Sequence, residues 1–323
     1  MRTQGPPALS PVVVLVFLLV TPALLSAQQT GQSPTKASDP SRAFASASIG
    51  TAPIPQSPTP KRDTLRPTAN AETTVSENQF AVKALTGILD QYRKMGNREG
   101  EAHTLSALAT AYSALHQQQK AVESYQSALT IWRALGNKEG ETTTLAHLGD
   151  AYRVWGFPEQ AIHFYRDALK MYPATTQKKP EEVAVLNNLG LAFFSLHDKK
   201  KTVFYLEQAL AYYHAHQDRR GEAITLTNLG CTYGFLMNDP HRALDFFQEA
   251  VTRLELANDL GSEANTMELM GELWLKLGKP GIAQITFQHA LLDSIKTGDS
   301  EREASVRKHI TALGETEVAA SRH

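Results

Sequence analysis

Gly136-Asn137-Lys138-Glu139-Gly140-Glu141 spells again, forty residues on, what Gly96-Asn97-Arg98-Glu99-Gly100-Glu101 has already spelled. Looser forms surround Gly221, Gly261 and Gly298. Behind each occurrence the same ladder of apolar and small residues returns in register. Leu105, Leu108, Ala109 and Tyr112 stand at i, i+3, i+4 and i+7, one face of a helix, and Ala121, Tyr125, Ala128 and Leu129 form a second such face. Forty residues later these become Leu145, Leu148, Gly149 and Tyr152, then Ala161, Tyr165, Ala168 and Leu169. The pattern predicts one structural unit copied several times, not one irregular core.

Three further copies follow. They carry Leu186, Leu189, Gly190, Phe193, Thr202 and Leu206; then Leu226, Leu229, Gly230, Tyr233, Ala243 and Phe247; then Met267, Met270, Gly271, Trp274, Ala283 and Phe287. The expected repeats span about 98–135, 138–173, 179–216, 219–257 and 259–296. Glycine inside a helix costs about 1 kcal/mol against alanine, so its return at one register predicts a close helix approach there, with the ring three residues later filling the groove beside it. Ala81, Leu85, Ile88 and Leu89 predict a capping helix before the array. Charged residues from Glu301 to Lys308 predict another at 300–313, ended by Gly314 and followed by a flexible tail, 314–323.

Two segments precede the array. Residues 1–27 read as a secretory signal peptide, with Arg2 in a short basic region, an apolar run from Val12 to Val20, and small residues up to Ala27 for cleavage; an uncleaved anchor is the alternative. No other segment is apolar enough to span a bilayer, so no membrane span is expected in the mature chain. Residues 28–75, rich in Pro, Ser, Thr and Ala, read as a disordered linker. Cys231 is the single cysteine, so no internal disulfide forms and no lipid-bearing cysteine follows the apolar run; no Asn-X-Ser/Thr sequon is present. A bacterial periplasmic or secreted protein is the expectation. Lys plus Arg (32) and Asp plus Glu (33) nearly cancel to a net charge of −1, which argues against nucleic acid as a partner.

These residues resemble the tetratricopeptide repeat. The second copy carries the signature most fully, in Leu145, Leu148-Gly149, Tyr152, Ala161, Tyr165, Ala168 and Pro173. The long period, with Leu186-Asn187-Asn188-Leu189-Gly190 and Leu226-Thr227-Asn228-Leu229-Gly230, is similar to the variant of kinesin light chains and of bacterial proteins bearing a caspase-like CHAT peptidase domain. The resemblance implies an all-α fold, a right-handed superhelix (α-solenoid) of about five helix pairs with capping helices at both ends. It also implies a concave wall built from the first helix of each pair. Its lining positions here are His103, Ser106 and Thr110; Thr143, Ala146, Asp150 and Arg153; Asn187, Asn188, Leu191 and Phe194; Thr227, Asn228, Cys231 and Phe235; and Asn265, Glu268 and Glu272. Asn187, Asn188 and Asn228 would then bond the backbone of an extended peptide, or else bond within their own turns and solvate a face. Repeat one lacks the glycine, and repeat three has Thr202 for alanine with a basic turn before it.

Tests for chemistry point away from catalysis. His214-Ala215-His216-Gln217-Asp218 pairs imidazoles two residues apart, but on a helix these point about 160° apart, so no metal site is expected and no cofactor. Cys231 has no base beside it and reads as a small groove or core residue. No phosphate loop, nucleophile elbow or His-Glu-x-x-His is present. The expected function is a non-enzymatic, exported scaffold for a protein or peptide segment; the alternative is the sensor arm of a CHAT-type protease system whose catalytic domain this sequence does not carry.

Overall fold

A computed structural model describes residues 69–173 and 178–320. The signal and most of the linker therefore lie outside the described residues. Everything described is helix or turn, and helix α1 (Ala69–Met95) begins a few residues earlier than the linker's expected end. The described residues divide into two compact units, Val75–Ser124 and a second that takes in 69–74 together with Tyr125 onward.

In the first unit α1 is followed by α2 (Arg98–Ala114) and the opening turns of α3 (Gln118–Leu135). In the second, α4 (Lys138–Val154) pairs with α5 (Pro158–Met171) and α6 (Pro180–Ser195) with α7 (Lys199–Ala215). Helix α8 (Arg219–Cys231), extended by a π-helical turn at Thr232–Met237, pairs with α9 (Pro240–Ala257), and α10 (Leu260–Lys276) with α11 (Pro280–Thr297). Helix α12 (Ser300–Ala320) closes the series. The second unit is thus four sequential antiparallel pairs, and the first helices of neighbouring pairs stand side by side.

The opening motif builds the junction between α3 and α4. Gly136, at φ +66°, turns the chain out of α3 through a left-handed conformation that a side chain would strain. Asn137 then caps α4, its Oδ1 accepting the Gly140 N–H at 2.9 Å. Gly140 lies against the Trp132 ring with no room for a Cβ. Glu141 is buried, and its carboxylate accepts from Arg133 Nε at 2.7 Å and Lys138 Nζ at 3.1 Å. In the first unit Gly96, Asn97, Gly100 and Glu101 repeat the arrangement, with Arg93 and Tyr92 as partners.

The mid-helix glycines also mark close approaches between paired helices, as their register predicts. A Cβ at Gly149 would lie 2.7 Å from the Tyr165 ring, and at Gly230 and Gly271 it would lie 2.6 Å from Phe247 and Phe287. At these three the ring over the glycine comes from the second helix, and at Gly190 the Leu206 side chain takes that place, 3.0 Å from an added Cβ. The ring three residues after the glycine packs beside that contact, on the preceding residue of the same second helix: Tyr152 stacks on Phe164, Phe193 on Tyr205 and Tyr233 on Phe246. Thr202, the odd residue at an alanine position, is fully buried and donates its hydroxyl to the Asp198 carbonyl at 2.8 Å.

Repeat four shows how a spare residue is absorbed. Twelve positions separate Gly149 from Ala161, Gly190 from Thr202 and Gly271 from Ala283, but thirteen separate Gly230 from Ala243. The π-helical turn sits in that interval, where one inserted residue widens a single turn. Asn238, at φ +61°, then takes the left-handed position that Gly156, His197 and Gly278 take elsewhere. Lys276 Nζ donates to the Gly234 carbonyl at 3.0 Å and occupies one of the acceptors this turn leaves.

At the far end the expected stop is corrected. Gly314 lies inside α12, which continues to Ala320, so 314–320 is helix, not a flexible tail. Glycine weakens a helix but ends one only when the chain takes a left-handed turn there, and Gly314 has no positive φ.

Candidate binding face on the first helices

In the second unit several of the groove positions implied by the resemblance are joined to one another. Asp150 of α4 accepts from Tyr165 Oη at 2.6 Å and from Asn188 Nδ2, on α6, at 2.8 Å. Asn187 Nδ2 lies 3.4 Å from Asn188 Oδ1. Asn187 Oδ1 in turn accepts from Asn228 Nδ2 of α8 at 3.2 Å, with the Thr225 hydroxyl at 3.4 Å. The row continues one position away, where the Thr227 and Thr266 hydroxyls are 2.9 Å apart. It ends on α12: Arg302 Nη1 donates to Asn265 Oδ1 at 3.1 Å and to Glu268 Oε2 at 2.7 Å, and Ser305 Oγ donates to Glu268 Oε1 at 2.5 Å.

Apart from the Asn187–Asn188 contact within one turn, the asparagines bond across to neighbouring helices. They tie the first helices of successive pairs. Each carboxamide nitrogen carries two hydrogens, and the half-buried Asn188 and Asn228 each spend one in the row, leaving a second. Asn187 itself is buried.

The remaining predicted residues are spread along the same helices. Thr143 is exposed, and Ala146, Arg153, Leu191 and Phe194 are half-buried. The Arg153 Nε is buried without a hydrogen-bond partner, as is His147 Nδ1, one turn before Asp150; burial pushes the pKa of His147 down against the pull of that carboxylate. Phe235 lies exposed on the π-helical turn, with the Lys276 ammonium 5.9 Å from its ring centre. Cys231 packs at the edge of the cluster formed by Leu206, Leu229, Tyr233, Ala243, Phe247 and Leu273. Burial, with the Glu272 carboxylate nearby, pushes its thiol up to about 12, far from a reactive thiolate. Glu268 is buried and Glu272 half-buried, and His309 Nε2 lies 3.5 Å from Glu272. In the first unit His103 and Ser106 are half-buried and Thr110 is exposed, its hydroxyl 3.2 Å from the Ser106 carbonyl.

A recess of about 240 Å³ opens among Ile224, Asn228, Ser262, Asn265 and Arg302. Ile224 is 39% exposed at its wall. Register could not assign Arg302, Ser305, Tyr165 or Thr225 to this face. Arg302 and Ser305 belong to the capping helix, expected to face water, while Tyr165 comes from a second helix.

The histidine string separates. His214 Nδ1 is 2.8 Å from Glu222, whereas His216 Nδ1 is 2.8 Å from the Tyr212 carbonyl and its ring stacks on that tyrosine. Among the described residues no cluster could hold a metal ion, and no helix is long and apolar enough to cross a membrane.

Profiles of the tetratricopeptide repeat match residues 119–174, 102–135 and 223–258. The chain is a tetratricopeptide repeat protein. Both profiles describe a repeat module, and no catalytic family matches. The repeat protein is similar in fold to BtubC (BKLC) from P. vanneervenii, with a TM-score of 0.56 at 20% identity over 72% of this chain and 93% of that one. Aspartyl phosphate phosphatase F from Bacillus subtilis superposes with a TM-score of 0.63 at 14% identity, over 80% of this chain and 73% of that one. A Rap protein complexed with competence and sporulation factor gives 0.51 at 13% identity, over 76% and 72%. Likenesses this distant concern the fold alone. No curated protein sequence matches the repeat protein.

Proposed function

We propose that the protein is a non-enzymatic scaffold that receives an extended protein segment along the first helices of its second unit. The observation that carries this reading is the row from Asp150 through Asn188 and Asn187 to Asn228, continued by the recess beside Ile224. The row fixes the carboxamides in place, so the remaining N–H groups of Asn188 and Asn228 present preset donors to a visiting backbone. The recess is sized for one or two side chains. Tetratricopeptide repeats commonly bind peptides and proteins, and the Rap structure named above holds a peptide factor, which supports the same class of ligand here. We also propose that residues 1–27 direct export, so that the mature chain begins at Gln28.

Selection from a random peptide library against the full chain tests the binding reading. Selected peptides are expected to bind Ile224→Glu or Asn228→Ala roughly tenfold more weakly, a loss of about 1.4 kcal/mol. Equal binding by wild type and both variants would remove the assignment. N-terminal sequencing of protein secreted by the expressing cell tests the second proposal: an intact Met1 there refutes cleavage.

A further inference from the structure

Helix α11 departs from the other second helices on its outward side. Ile282, Ile285, Leu292 and Ile295 are exposed by 44%, 58%, 54% and 49%. At the matching positions α9 carries Arg242, Asp245, Thr252 and Glu255, and among all the earlier second helices Phe204 is the one large apolar residue there. At about 100° per residue the four aliphatics fall within an arc of roughly 140°, a single stripe. Gln284, Gln288 and His289 lie between or beside them, and the one charged group on the same arc, Lys296 at its end, is held by Asp293 at 2.9 Å. Isolated exposed aliphatics are ordinary, but two pairs on one face, where the preceding repeat carries only polar groups, mark a contact surface.

The spacing of the stripe names the occupant. Its intervals are three, seven and three residues, which read the same in both directions about the midpoint between Gln288 and His289. We propose that α11 packs antiparallel against α11 of a second copy of this chain, about a two-fold axis through that midpoint. Ile282 then meets the partner's Ile295, and Ile285 meets the partner's Leu292. Next to the axis Gln288 meets the partner's Gln288, and His289 the partner's His289. A surface that is its own complement is what a two-fold interface requires. A half-exposed aliphatic leaves about 90 Å², so the stripe offers roughly 350 Å² of apolar core per copy, against about 800 Å² per partner in a standard interface, the remainder falling to a polar rim.

Sedimentation of the full chain tests this. The expected mass is twice that of one chain, and the Ile285→Asp, Leu292→Asp variant is expected to halve it with unchanged helical circular dichroism, because both positions are exposed. Cysteine cross-linking in a Cys231→Ala background fixes the geometry. Gln288→Cys, next to the axis, is expected to give a disulfide-linked dimer on oxidation, whereas Ile282→Cys alone, far from its own copy, is not. A monomeric mass at the highest concentration reached overturns the proposal, whether the stripe lies bare or under another part of the same chain. So does a dimer that survives both aspartates, or one that cross-links through Ile282→Cys and not through Gln288→Cys.

Discussion

Asn188 donates from Nδ2 to Oδ1 of Asp150 at 2.8 Å, joining side chains that stand on the first helices of two successive pairs. The same carboxylate oxygen accepts the Tyr165 hydroxyl at 2.6 Å, so one group ties a helix both to its own partner and to the next pair. Burial, and then the Asp150 charge, push the Tyr165 hydroxyl's pKa well up, which keeps it a donor at any physiological pH. Replacing Asp150 by alanine leaves that phenol without its acceptor and is expected to cost about 1–3 kcal/mol in urea unfolding. Asn188→Ala, at a half-buried position, is expected to cost less, and the double variant should fall short of the sum because the two share a bond.

Two glutamates at one register should respond oppositely to pH. Burial opposes ionisation of Glu222, but hydrogen bonds from His214 and Arg253 outweigh it and hold the pKa below the ordinary 4.5. Eight residues before the corresponding Glu263 the chain has Glu255 instead of a cation, and Asp293 stands where Arg253 stood. Burial, then Asp293 and Glu255, push Glu263 above 4.5 against the pull of Lys296. The Glu222 contribution is therefore whole above pH 4.5 and lost as pH falls through its lowered pKa; that of Glu263 is whole below 4.5 and lost as pH rises through its raised one. At pH 7, Glu222→Gln should destabilise by roughly 1–2 kcal/mol and Glu263→Gln should stabilise by up to about 1 kcal/mol. Thermal melts at pH 7 and pH 4 should show both differences shrinking in acid.

Glycine replacement separates close approach from helix propensity. Gly230→Ala gains about 1 kcal/mol of propensity but sets a methyl 2.6 Å from the Phe247 ring, and a net loss is expected. At Gly314 nothing lies within 4 Å of an added Cβ, so Gly314→Ala should stabilise α12 by up to about 1 kcal/mol. Calorimetry of both variants decides it.

Lys276→Met removes the donor to the Gly234 carbonyl within the π-helical turn. A loss of about 1 kcal/mol is expected, with faster amide exchange confined to residues 232–239.

Periodicity made the helix pairs and their junctions legible, because residues such as Gly149, Ala161 and Tyr165 return wherever the same contact is rebuilt. The face on which Asn187 and Asn228 sit came from the resemblance to the tetratricopeptide repeat, not from the period itself. What periodicity cannot carry is a bond made once. Arg302 reaches Glu268 from a helix outside the repeat, and at the register of Asp150 stand Leu191, Cys231 and Glu272, the last lying beside His309 instead. The Gly314 stop failed for a related reason: composition marks a weak point in a helix, whereas termination depends on the backbone angle adopted there.

The widened turn between Cys231 and Asn238 bears on how such a chain changes length. An odd residue is taken up locally, and Ala243 and Phe247 still arrive in phase with the layer they fill. A single-residue insertion at the end of a first helix is therefore a tolerated stutter, where the same insertion in a strand would turn every later side chain inside out.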